Sequence, residues 1–266
     1  MATLISHPLG QTGLTVSPLG IGTVKWGRTE GLKHGVFELP DDRTCHELLD
    51  TALEQGVNVL DTAPAYGIAE ERLGKLLGRS RRDRFHLFTK TGEIFENGES
   101  SWDFSAAHTR RSVEKSLRRL STDRLDAVLL HCPREDLPVI RGTAALETLH
   151  TLREEGKIRA IGISTMSLEG GLAAVPLCDL VMVAWNPWFH EQQPVIEAAV
   201  AAGRGVLLKK VLSSGNLPSG AGSRGAEHCL RSALVLPGHP VMIAGTLSPA
   251  HLRSNIETVQ ARTNAL

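Results

Sequence analysis

One tyrosine is present in 266 residues, so any chemistry that needs a phenolic proton has a single candidate, Tyr66. Aromatic residues make up only 4% of the chain, and the four cysteines, Cys45, Cys132, Cys178 and Cys229, are too widely spaced for a zinc cluster or a dense disulfide scaffold. They read as buried thiols, and no metal is expected. No apolar run approaches the roughly 18 residues of a spanning helix, which speaks against membrane insertion. Net charge is absent too: 29 Lys and Arg balance 29 Asp and Glu. Without a broad positive field or a long basic block, nucleic acid is not an expected partner. The opening MATLISHPLG has no basic segment followed by an apolar one, so the expectation is a cytoplasmic protein with no secretory signal.

What is present is a 41% hydrophobic chain organised as a repeat. Short runs rich in Val, Ile and Leu fall at Val16–Thr23, Val57–Ala63, Phe85–Thr89, Leu125–His131, Ala160–Ser164, Leu180–Trp185, Gly205–Lys210 and Val241–Gly245. Helical patterns follow them at Thr44–Gln55, Glu70–Leu77, Ala106–Leu120, Ala144–Glu155, Leu168–Ala174, Gln192–Ala202, Ala226–Leu236 and Pro249–Ala261. Continuous apolar strands joined by helical crossovers are the mark of a buried parallel sheet. Eight such units predict an α/β fold, a single (β/α)₈ TIM barrel spanning residues 1–266. Ser105 and Ser248 stand where helix caps belong. Two longer connections stand out. The polar stretch Thr91–Asp103 lies where it can border a pocket, and the glycine-rich Ser213–Gly225 is either surface padding or a loop that covers a ligand.

In such a barrel, chemistry collects at the carboxyl ends of the strands. Asp61 lies near the end of the second run, Lys90 directly follows the third and His131 closes the fourth, with Tyr66 five residues beyond Asp61 on the adjoining loop. Any one of these could be a capping, snorkelling or packing residue. Together they form a proton relay: a carboxylate holds an ammonium charged, and the ammonium stabilises a phenolate and lowers the tyrosine pKa. Tyr66 would then protonate a carbonyl oxygen as hydride reaches its carbon, with His131 steering the oxygen. Aromatics near the mouth, Trp26 and Trp188, are candidates for the wall of a substrate pocket.

The ordered motifs LGIGT, DTAPAYG, AEERLG, FTK, LLH, GKIRAIGIS, WN and GTLSPAHLRSNI run through most of the chain. The sequence therefore resembles the aldo/keto reductase superfamily, specifically its short bacterial members related to the potassium-channel beta-subunit type. The resemblance implies a catalytic tetrad of Asp61, Tyr66, Lys90 and His131 with Tyr66 as general acid, and an extended nicotinamide cofactor across the barrel mouth. It implies contacts from Gly22, Thr23 and Asp61 to the nicotinamide ribose, and from Ser164 to the carboxamide. Gly245, Thr246, Ser248, His251 and Asn255 would take the phosphate and adenine end. Three positions depart from the family pattern: Thr165 replaces an asparagine, Met182 a glutamine, and Lys209 the tyrosine that stacks on the nicotinamide. The family as a whole favours NADP(H) as cofactor, and NAD(H) is the alternative because Gly245 and His251 stand in place of basic residues that often clasp the 2′-phosphate. The implied activity is reduction of a small aldehyde or ketone, or oxidation of the corresponding alcohol. The competing reading is a nicotinamide-binding regulatory or channel-associated module with weak reductase activity.

Overall fold

A computed structural model describes residues 3–32, 37–216 and 222–263. Eight parallel strands close into a barrel: β1 (Leu19–Gly22), β2 (Val59–Asp61), β3 (His86–Thr91), β4 (Leu125–His131), β5 (Ile158–Ser164), β6 (Leu180–Ala184), β7 (Gly205–Lys209) and β8 (Val241–Ala244). Each pairs with its sequence neighbours, and β8 pairs with β1 to complete the ring. The fold is thus the (β/α)₈ barrel that the repeat predicts. Helices α1 (Asp42–Gln55), α2 (Ala69–Arg82), α3 (Ala106–Arg119), α4 (Asp136–Gly142), α5 (Ala145–Glu154), α6 (Leu168–Ala174), α7 (Gln193–Ala201), α8 (Gly222–Ala233) and α9 (Pro249–Thr263) lie among the described residues. Among these helices none is long and apolar enough to cross a membrane.

The first predicted strand is divided. Thr15–Val16 pairs antiparallel with His7–Pro8, and only Leu19–Gly22 joins the barrel. Pro18, with no N–H to give a ladder, separates the two pieces. Leu9, Leu14 and Val16 from this hairpin pack with barrel residues Val59, Phe88, Leu180 and Leu207, plugging the amino end. The Thr91–Asp103 connection is a second hairpin, Glu93–Glu96 against Glu99–Trp102. Of Ser213–Gly225, residues 217–221 lie outside the described residues; the preceding Ser214 and Gly215 border the cavity at the mouth.

Strand periodicity decides what converges on the barrel axis. Side chains alternate along a strand, and two apolar sets result. Leu60, Leu87, Val128, Leu130, Ile161, Ile163, Val181, Val183 and Leu208 face the helices, while Val59, Phe88, Ala127, Leu129, Ala160, Leu180, Met182 and Leu207 fill the barrel. Extending the inward parity to the carboxyl ends brings Asp61, Lys90, His131, Ser164 and Lys209 inside. Register steps the first three and aligns the rest: Asp61 stands opposite Phe88, two residues before Lys90, and Lys90 opposite Leu129, two before His131, while His131, Ser164 and Met182 stand in one row.

Candidate active site

Asp61, Tyr66, Lys90 and His131 line one cavity of about 390 Å³ at the carboxyl end of the barrel, together with Glu93, Ser164, Met182 and Lys209. Lys90 Nζ donates to Asp61 Oδ1 at 2.7 Å and to the Thr62 carbonyl at 2.9 Å. Tyr66 caps this pair, its ring centroid 4.8 Å from Lys90 Nζ and 6.0 Å from the edge-on ring of His131. Burial works against the Lys90 ammonium, but the Asp61 carboxylate and the Tyr66 hydroxyl hold its pKa above the usual lysine value.

The loop that carries Tyr66 is fixed by backbone contact. The Ile68 N–H donates to the Gly27 carbonyl at 3.3 Å. A Cβ on Gly67, where φ is +60°, would lie 2.0 Å from the Gly27 oxygen, and a Cβ on Gly27 would lie 2.3 Å from the Tyr66 oxygen. Glycine at both positions is what lets the loop close down on the short 3₁₀ turn Val24–Trp26 and aim Tyr66 into the mouth.

The tyrosine pKa differs from the sequence expectation. Burial raises it, outweighing the opposing effect of Lys90. Tyr66 is therefore a neutral phenol with its proton in place. His131 is shifted the other way, since burial disfavours its charged ring while Glu93 favours it. Glu93 is the site residue that sequence reasoning missed. Its Oε2 lies 2.7 Å from His131 Nδ1, within ion-pair reach but off the axis of a straight hydrogen bond. Burial acts to raise its pKa, yet His131, Ser100 and Arg28 bring it down to about 2.

Of the residues expected to hold a cofactor, Gly22, Asp61, Ser164, Lys209 and Gly245 line the cavity. Thr23 and Thr165 do not. The Thr23 hydroxyl, fully buried, donates to the Asp61 carbonyl at 3.0 Å. The Thr165 hydroxyl accepts from Gln192 Nε2 at 3.0 Å, while Gln192 Oε1 accepts the Ala184 N–H at 2.9 Å. This buried glutamine ties β6 to the end of β5 and leaves Thr165 facing away from the cavity. Lys209 Nζ donates to Ser164 Oγ at 2.9 Å and touches Met166 Sδ at 3.3 Å. Burial, with Lys210 and Lys90 close by, lowers its pKa to about 7. Thr246, Ser248, His251 and Asn255 lie apart from this cavity, at and beyond the start of α9. There the Ser248 hydroxyl caps the helix by accepting the His251 N–H at 3.3 Å.

Both tryptophans depart from expectation. Trp26 is fully buried, its Nε1 donating to the Thr246 carbonyl at 3.4 Å, because the 3₁₀ turn after β1 points it into the core. Trp188 is 46% exposed and sits 5.9 Å from the His228 ring, because the turn after β6 carries it outward. All four cysteines are buried and free, and burial pushes the Cys132 thiol, nearest the mouth, up to about 12.

Known proteins resemble this chain in sequence and fold. The sequence profile of the aldo/keto reductase family matches residues 18–226. The chain is 37% identical over 169 residues to the aldo-keto reductase YhdN of Bacillus subtilis, which spans 60% of this chain but only 47% of that protein. It is 30% identical over 233 residues to a D-threo-aldose 1-dehydrogenase of a Pseudomonas species, spanning 77% of this chain and 68% of that one. The crystal structure of a Pseudomonas aeruginosa protein assigned to the aldo-keto reductases superposes with a TM-score of 0.89 at 43% identity, covering 98% of each chain. With a closed barrel, a Lys–Asp pair under a tyrosine at its mouth and a profile match over most of its length, the chain belongs to the aldo/keto reductase family.

Proposed function

We propose that the protein, acting as a single barrel domain, is a reductase of aldehydes or ketones that uses NADP(H), with NAD(H) as the alternative cofactor. The observation that carries this reading is the buried Asp61–Lys90 pair at 2.7 Å lying under the protonated Tyr66. A nicotinamide cofactor, when bound, supplies the hydride. The cavity suits a polyanionic partner of that kind. It is lined by five basic side chains, Lys25, Arg28, Lys90, Lys209 and Lys210, against two carboxylates, Asp61 and Glu93, both of which already face basic partners. Its size is within the usual range for small-ligand sites. Gly22 and Gly245 leave the β8–β1 edge of the mouth bare, since a Cβ at Gly22 would press to 3.1 Å from Ile243. Ser164 and Lys209 would hold the nicotinamide end, while Ser248 at the cap of α9 and His251 and Asn255 on it, with the exposed Arg253, would take the phosphate and adenine end.

Within the cavity, Tyr66 donates its proton to the carbonyl oxygen as charge develops there. Lys90 stabilises the phenolate left behind, and Asp61 keeps Lys90 charged. His131 orients the oxygen. A phenol held in its protonated form is an acid ready to donate, which favours the reductive direction. The relative named for aldose oxidation directs the choice of substrates toward hydroxylated aldehydes. Fluorescence titration with NADPH and NADH, followed by a turnover panel of aldoses and simple aldehydes with the tighter cofactor, tests the proposal. Micromolar binding and saturable turnover are expected; failure to bind either cofactor would overturn it.

A further inference from the structure

The catalytic histidine has a partner that lies on no barrel strand. Glu93 is on the hairpin that follows β3, and its carboxylate is held from three directions. Ser100 Oγ, across the hairpin, donates to Oε1 at 2.6 Å. Arg28 Nη1 approaches the same oxygen at 3.5 Å. Arg28 is itself fixed by the Ala65 carbonyl at 3.1 Å and by the face of Phe95, 3.3 Å below its guanidinium carbon. The remaining oxygen, Oε2, is 2.7 Å from His131 Nδ1. Both side chains are largely enclosed, at 11% and 19% exposure, so this contact is weakly screened by water.

We propose that Glu93 is the positioning residue of His131. Its charge, 2.7 Å from Nδ1 though off the axis of a straight hydrogen bond, favours a proton on that nitrogen and so sets the ring's tautomer, leaving Nε2 able to donate to a substrate oxygen only when the ring is charged. A neutral imidazole has one N–H; with that proton committed to the Glu93 side, Nε2 is an acceptor until a second proton arrives. The other groups facing the ring are Lys90 from β3 and Lys209 from β7, which oppose its protonation, and Tyr66 from the loop after β2. Glu93 is the carboxylate that offsets both lysines. The hairpin thus makes the donor strength of His131 depend on pH, and reduction gains as the ring takes up its second proton. This inference rests on the carbonyl-reductase reading for its consequence, but not for its test.

The test is a long-range proton–nitrogen NMR titration of the imidazoles in the cofactor-free protein, with His131 assigned from its loss in His131→Gln. In the wild type the neutral ring is expected to carry its proton on Nδ1. In Glu93→Gln the proton affinity of His131 should fall at least tenfold and the neutral ring should move its proton to Nε2. Glu93→Asp, which keeps the charge, should recover part of the difference. If Glu93→Gln does not fold, Glu93→Asp provides the second reading: it draws the carboxylate back from Nδ1 and should lower the proton affinity of His131 by less. An unchanged titration and tautomer in the folded variants would overturn the proposal. In turnover, the limb of kcat that falls with rising pH should move to lower pH in Glu93→Gln with KM little changed, whereas loss of a structural support would scale turnover equally at every pH. Absence of turnover in the wild type would defeat the reductase reading and leave the NMR outcome standing.

Discussion

The two sides of the barrel mouth are built on opposite electrostatic plans. On the β2–β4 side every charge has an answering one: Lys90 has Asp61, and His131 has Glu93. On the β5–β7 side the equivalent inward positions hold Ser164, Met182 and Lys209, and the Lys209 ammonium rests on a hydroxyl and a thioether. The Asp61–Lys90 pair keeps its charges and the Glu93 carboxylate faces one nitrogen of His131, so the first side is suited to moving a proton at a set place. An ammonium with no carboxylate beside it loses charge easily, and burial brings its pKa to about 7. The second side is suited to holding an anion with a strength that varies with pH. On the proposed function, proton transfer and ligand holding are thus expected to change independently, although the residues involved are neighbours around one ring of strands.

Substitutions can separate the two sides. The largest effect is expected from Tyr66→Phe, which removes the acid and little else: turnover should fall by about 10²–10⁴-fold with cofactor affinity nearly unchanged. Next is Lys90→Met. It strands the Asp61 carboxylate in a buried place, and breaking a buried pair by removing one partner costs about 3–5 kcal/mol. Thermal denaturation should register that loss as a clear drop in Tm, alongside turnover at least as low as that of a hundredfold-impaired enzyme. On the other side, Lys209→Met should weaken NADPH by about tenfold, the scale of one hydrogen bond to a charged group, with little effect on the rate at saturation. The pH dependence carries the sign: Lys209 is charged below its pKa of about 7, so wild-type NADPH affinity should fall between pH 6 and 8 while that of Lys209→Met stays level. Smallest is Trp188→Ala. Its ring is 46% exposed and outside the cavity, so steady-state kinetics should change by less than about twofold, within the range of ordinary surface substitutions.

The proton-transfer side was the more legible in the sequence, for a physical reason. Asp61, Lys90 and His131 each end a buried apolar strand, and strand parity alone carries them inward. The expected residues that fall outside the cavity share a different cause: they sit on turns, whose direction no periodicity states. Trp26 leaves β1 on a 3₁₀ turn that sends it into the core, and Trp188 follows β6 on a turn that sends it out. Thr165 lies one residue past the end of β5, where parity is lost, and a glutamine 27 positions away claims its hydroxyl. Glu93 was hidden within a stretch recognisable only as long and polar. A weak signal was present, since Glu93–Glu96 and Glu99–Trp102 flank Asn97-Gly98, a dipeptide that favours a hairpin, and a hairpin at the end of β3 has to lie beside the mouth. The direction of the Tyr66 shift escaped as well, because a sequence shows which charges are neighbours but not how much water has been removed around them.

The division between the two sides is tested most directly by measuring Tyr66→Phe and Lys209→Met in parallel, each for NADPH affinity and for the single-turnover rate of hydride transfer at saturating cofactor. The predicted result is a crossed pattern, in which Tyr66→Phe loses rate and keeps affinity while Lys209→Met loses affinity and keeps rate. If the two variants lose both quantities in the same proportion, the mouth of this barrel works as one unit and the division is wrong.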